Sequence, residues 1–119
     1  MTDTEIKLSI RLDLPNGTRF GPGKAILLSE IETHGTVSAA ARALGMSYPK
    51  ALRLIDSMNQ QFGRPLIKTF HGGVGRGGAA LTATGHIVLH TYRDLCGGAV
   101  AATTEKLDLL SNLCRTKNG

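Results

Sequence analysis

THGTVSAAARALGMSYPKALRLIDSM, Thr33 to Met58, is the stretch on which the fold turns. Gly35 is the residue type that ends a helix in the left-handed conformation. Directly after it, Thr36 or Ser38 offers a hydroxyl to cap a new helix. Val37, Ala40, Ala41 and Leu44 then fall on one helical face. Gly45 closes this short helix, and Ser47 caps the next. Pro49 sits in that helix's first turn, where its missing N–H costs little. Ala51, Ile55, Met58 and Phe62 mark the inward stripe of the second helix, which stops at Gly63. The first helix is short and rich in small residues (Ala39, Ala40, Ala41, Ala43) that permit close approach, and the tight turn Leu44-Gly45-Met46-Ser47 joins it to the second. Such a pair is a helix-turn-helix, whose second helix enters the DNA major groove by its N-terminal end.

Upstream, Ile6, Leu8, Ile10, Leu12 and Leu14 alternate with Lys7, Ser9, Arg11 and Asp13, the pattern of a half-buried strand. Pro15-Asn16-Gly17 is a turn, and Gly21-Pro22-Gly23 a break before a helix over Lys24–His34 that carries Leu27, Leu28 and Ile31. Downstream, Pro65–Phe70 reads as a strand through Leu66, Ile67 and Phe70. Gly72-Gly73-Val74-Gly75-Arg76-Gly77-Gly78 follows, then Ala80-Leu81-Thr82 as a return strand, so the glycine loop makes a wing. From Ala83 the pattern is helical to about Leu113, with an interruption expected at Gly97-Gly98. Leu89, Tyr92, Cys96, Val100, Thr103, Leu107, Leu110 and Cys114 recur at alternating three- and four-residue steps, the spacing of a seam against a partner helix. The expected fold is mainly α with small β. It is a winged helix-turn-helix over residues 1–82, continued over 83–119 by a long C-terminal dimerisation helix and a frayed tail, all one structural unit.

Composition agrees with a small binding module. At 119 residues the chain suits one domain, and aromatics are scarce at 4%, with no Trp, so the core must be mainly aliphatic. A formal net charge of +5 favours a polyanionic partner. No run approaches the roughly 18 apolar residues of a membrane span. The N-terminus MTDTEIKLSI lacks a cationic start followed by an apolar stretch, which argues against export. Two cysteines, Cys96 and Cys114, make no disulfide scaffold, and a reducing cytoplasm fits best.

The expected DNA-contacting set is Thr36, Ser38, Ser47, Tyr48, Pro49, Lys50, Arg53, Lys68 and Arg76. On the second helix Pro49, Arg53 and Gln60 point away from the inward stripe, flanked by Lys50 and Ser57, with Tyr48 at the tip. Arg53 has the fork that pairs bidentately with guanine, and Lys50 the reach for guanine or a phosphate. Arg76, at the wing tip, is placed for a minor groove or a phosphate. Arg42 and Lys24 read as generic charges or phosphate contacts. The glycine loop lacks the Gly-Lys-Ser/Thr ending of a nucleotide-binding P-loop. His86 and His90 stand four residues apart on one helix, but two ligands leave a metal site incomplete, and no Glu lies between them in an HExxH arrangement. No nucleophile–base spacing stands out for Cys96, Cys114 or any serine. The sequence therefore predicts no catalytic residues, no cofactor and no metal.

At these residues the sequence resembles the N-terminal DNA-binding domain of the molybdate-responsive ModE regulators, whose fold is close to that of LysR-type regulators. The resemblance rests on GTVSAAARALGMSYPKA, then MNQQFGRPLI, then GGVGRGGAALTATG, and continues through HIVLHTYRDL, so it covers nearly the whole chain. It implies a dimeric transcriptional regulator whose second helix and wing contact double-stranded DNA. The LysR-like architecture implies dimerisation through the N-terminal strand region and the last long helix. Regulators of that family continue into C-terminal oxyanion-binding domains, whereas this sequence stops at Gly119. No molybdate-binding domain is expected, and molybdate sensing is not carried over. Two rivals share the residues: a sequence-tolerant architectural DNA binder and a winged-helix protein-interaction module.

Overall fold

The structure is a computed structural model that describes residues 6–71 and 77–115. Its elements run β1 (Leu12–Asp13), β2 (Arg19–Phe20), α1 (Pro22–His34), α2 (Val37–Leu44), α3 (Tyr48–Gln61), β3 (Ile67–His71), β4 (Gly77–Leu81), α4 (Ala83–Ala102) and α5 (Thr104–Arg115). β1 and β2 form one antiparallel hairpin and β3 and β4 another. Local chemistry sets most of the boundaries. Gly35 and Gly45 end α1 and α2 at φ 75° and 66°, a left-handed conformation that glycine adopts without the Cβ penalty. Thr36, rather than Ser38, caps α2, its Oγ1 accepting from the Ala39 N–H at 3.0 Å. Ser47 caps α3 and Thr82 caps α4 in the same way.

α1 lies at the centre. Leu27, Leu28 and Ile31 are fully buried against Ala40, Ala51, Ile55, Met58, Leu66 and Ile67. Phe20 closes the core from the β1–β2 hairpin, edge-on to Phe62 at 5.7 Å and to Tyr92 at 5.2 Å, arrangements that aromatic quadrupoles favour.

Several expectations change, among them the return strand, which runs Gly77–Leu81 and leaves Thr82 to cap α4. The strand over Ile6–Leu14 shrinks to Leu12–Asp13, because its partner is only the two residues of β2 beyond the Pro15-Asn16-Gly17 turn. The residues before it find other partners: the Ile6 N–H donates to Ser111 Oγ at 3.1 Å, and the Ile10 carbonyl accepts from the Tyr92 hydroxyl. Ile6 and Ile10 are half-buried without a ladder, while Leu8 is exposed. The helix also does not break at Gly97-Gly98, which α4 includes. It breaks at Thr103 (φ −119°, ψ 14°), where Thr103 Oγ1 donates to the Ala99 carbonyl at 2.7 Å and Thr104 Oγ1 to Val100 at 3.0 Å. Such hydroxyls offer the backbone an alternative to helix, whereas a glycine only lowers its propensity. Finally, Leu89 and Tyr92 belong to the domain's own core, at 1% and 6% exposure. Cys96 still packs against that core, and beyond it Val100 and Leu110 are exposed.

Tyr92 ties the N-terminal segment to α4, and its ionisation should show it. Burial, reinforced by a hydrogen bond with Cys96, pushes the phenol up to about 12 from 10.0. Between those values the unfolded chain releases its proton while the folded chain keeps it. This contribution to stability is therefore complete below pH 10 and lost as pH rises towards 12. Tyr92→Phe is expected to cost about 0.5–1.5 kcal/mol at neutral pH. The stability gap to the unmodified protein should then narrow across that alkaline window. Urea unfolding of both proteins at a series of pH values reads it, and a pH-independent gap refutes it.

Candidate nucleic-acid interface

The turn Leu44–Ser47 sets α3 against α2, and Met46 N–H donates to the Ala41 carbonyl at 3.0 Å to hold the corner. Ala51, Ile55 and Met58 of α3 face inward. The opposite side presents Tyr48, Pro49, Lys50, Arg53 and Gln60, all exposed, with Tyr48 at 49%. Ser57, half-buried, accepts from Lys24 Nζ at 3.3 Å. The N-terminal half of α3 thus offers two cations and a phenol to solvent from a rigid helix.

Thr36 and Ser47 use their hydroxyl oxygens as caps, accepting from Ala39 N and Lys50 N. A hydroxyl retains its own proton in that role, so each can also donate to an acceptor outside, such as a phosphate oxygen. Ser38 is exposed on α2. Between the starts of α2 and α3 and the β3–β4 hairpin lies an open cleft of about 680 Å³, lined by Thr36, Ser38, Tyr48, Leu52, Thr69, Phe70, His71, Gly77 and Gly78 among others. Phe70, 48% exposed, covers Gly78, where an added Cβ would fall 2.7 Å from its ring. Lys68 is exposed on β3, paired across the hairpin with Ala80. Arg76, assigned from sequence to the wing tip, lies outside the described residues.

The hairpin is held to the helix pair by bonds that no sequence motif announced. Asn59 of α3 accepts from Leu66 N at 2.8 Å and Ile67 N at 3.0 Å, and donates to the Ile67 carbonyl at 3.0 Å. Ala79 N–H donates to the Gly35 carbonyl at 2.8 Å. Asn59 therefore positions β3 relative to α3. Its only sequence signal is a polar residue beside the buried stripe.

Lys24 departs from the generic-charge reading. Its ammonium donates to the Arg19 carbonyl at 2.7 Å and to Ser57, and burial lowers its pKa. It bridges α1, β2 and α3, so its role is internal. Arg42 is exposed on α2.

The family model for bacterial regulatory helix-turn-helix proteins of the lysR family matches residues 26–86. The chain is 37% identical over 88 residues to the DNA-binding transcriptional dual regulator ModE of Escherichia coli K12, covering 74% of this chain and 34% of that protein. It is 36% identical over 91 residues to the molybdenum-pterin-binding protein MopB of Rhodobacter capsulatus, covering 76% and 32%. It thus spans about a third of the length of these curated relatives. The DNA-binding domain of CbnR, solved in complex with DNA, superposes with a TM-score of 0.55 at 23% identity, over 71% of this chain and 91% of that one. That likeness concerns the fold, a winged helix-turn-helix. Among the described residues no helix is long and apolar enough to cross a membrane.

Proposed function

The chain belongs to the lysR family of bacterial regulatory helix-turn-helix proteins, and from that premise we propose that it is a ModE-like transcription regulator that binds operator DNA as a homodimer in the cytoplasm. α3 enters the major groove, and the β3–β4 wing lies on the adjacent groove or backbone. The observation that carries the proposal is the exposed N-terminal half of α3, where Tyr48, Lys50 and Arg53 stand beside the cleft that the wing borders. The helix N-terminus adds partial positive charge there, which favours phosphate. Arg53 reads a base, Lys50 takes guanine or a phosphate, Arg76 a minor groove or a phosphate, and Lys68 with the hydroxyls of Thr36, Ser38 and Ser47 holds the backbone. Pro49 stiffens the first turn. The protein carries out no catalysis itself.

Second-copy contact is supported by shape. The Cα radius of gyration is 17.5 Å, with extents of 62 × 34 × 21 Å, against about 13.5 Å for a compact chain of this length. The excess accompanies the run of α4 and α5 past the core, with Val100, Leu109 and Leu110 exposed. Residues 1–82 form the DNA-binding part in this reading, and 83–119 the dimerising part.

Fragments selected from the source genome, followed by shift assays, test the proposal. Operator binding should exceed binding to unrelated duplex by about a thousandfold or more. Arg53→Ala should leave the fold intact and remove about 1–3 kcal/mol of discrimination at one base pair. Uniform binding to every duplex would make the protein an architectural binder. Absence of any shift would point to a protein partner instead, and unchanged discrimination in Arg53→Ala would remove that residue as a base reader.

A further inference from the structure

Away from the cleft's lining residues, the fold completes a cluster that sequence spacing leaves at two ligands. Glu32 of α1 meets His86 and His90 of α4, and one ligand atom from each lies within 4.8 Å of the others. His86 Nδ1 is 3.1 Å from Glu32 Oε2. The two imidazoles stack nearly parallel, at 8° between planes and 6.1 Å between centroids. We propose that Glu32, His86 and His90 form a binding site for a divalent transition metal of the zinc class, with water in the fourth position.

The spacing suits such an ion. Tetrahedral bonds of about 2.1 Å place neighbouring ligand atoms roughly 3.4 Å apart, close to the His86–Glu32 separation. Two nitrogens and one carboxylate select zinc, nickel or copper over magnesium and calcium, which take all-oxygen sets. The fourth position has room, because all three residues are exposed; the His86 and Glu32 side chains are 48% and 35% accessible. An ion pair between Glu32 and a protonated His86 explains two of the three residues. It leaves His90 with only the stacked ring of His86 as a partner. A metal satisfies all three. It would also clamp the C-terminal half of α1 to the first turns of α4, at the level where the Gly35 carbonyl receives Ala79 of the wing.

Zinc sulfate titrated into the whole chain under reducing conditions should bind at one equivalent by calorimetry, with a rise in melting temperature. Cobalt(II) in its place should give a four-coordinate visible spectrum without the thiolate charge-transfer bands that Cys96 or Cys114 would produce. Outer-shell losses alone weaken metal sites about 10–100-fold, so removing a ligand by His90→Asn or Glu32→Gln should weaken zinc binding at least tenfold and abolish the thermal shift. Both positions are exposed, and circular dichroism confirms that each variant is folded; His86→Asn repeats the measurement on the third ligand. No saturable zinc binding overturns the proposal. So does zinc binding of equal affinity in all three variants, which would assign the metal to other side chains such as His34 or His71.

Discussion

Gly85→Ala should destabilise the protein by about 3 kcal/mol or more, although the substitution raises helix propensity. A Cβ at Gly85 would be driven into the Leu66 carbonyl oxygen, 3.0 Å from its carbon and 3.3 Å from Leu81 Cβ. Overpacking typically costs about 1–3 kcal/mol, and more when backbone must move. Leu66 has little freedom to yield: it is fully buried, its carbonyl accepts from Thr82 N at 2.9 Å, and its N–H is held by Asn59. Gly97 and Gly98 supply the contrast. Nothing lies within 4 Å of a Cβ at either position, so alanine there should stabilise α4 by roughly 0.5–1 kcal/mol each. Opposite signs for identical substitutions in one helix are the result to look for in urea unfolding. A native-like midpoint for Gly85→Ala would mean that α4 does not ride directly on the β3 approach.

Leu107→Glu combined with Leu110→Glu is expected to give a folded monomer whose operator affinity falls about a hundredfold or more, because simultaneous docking on two half-sites is lost. Leu110 is 49% exposed in the single chain, so charge there costs the monomer little, and Leu107 is half-buried, so it gives up only part of a leucine's burial. In a dimer the same positions would bury uncompensated carboxylates. Sedimentation gives the mass and circular dichroism the fold. A double variant that stays dimeric places the interface elsewhere. One that unfolds makes this part of the stripe a cover for the protein's own core, as Leu89 and Tyr92 already are.

That division of the stripe shows how far periodicity reaches. Leu89 and Tyr92 are indistinguishable by spacing from Val100 and Leu110, since all recur at steps of three or four. Which of them meets the core depends on where the helix runs out of body to cover. The same holds for the histidines. Their i, i+4 relation is written in the sequence, but Glu32 reaches them only because α1 and α4 pack together. In the helix-turn-helix, by contrast, the outward set Tyr48, Lys50 and Arg53 was legible from the helical wheel, because the inward stripe Ala51, Ile55 and Met58 leaves one side of α3 for solvent.

Interactions spanning about four residues were determined by the sequence alone: the hydroxyl cap at Ser47, the left-handed glycines at 35, 45 and 63, and the amphipathic faces of α2 and α3. Each depends on residue types that act on their immediate neighbours. Only the tertiary structure decided that Ile6 would bond to Ser111 across 105 positions and Tyr92 to Ile10 across 82. It also decided that Phe20 would close the core, and that Asn59 would set the wing. A backbone donor or acceptor must find a partner when buried, and which one it finds depends on elements brought together by packing. Chain-local pattern therefore specified the two helices of the helix-turn-helix, and packing specified how they are held.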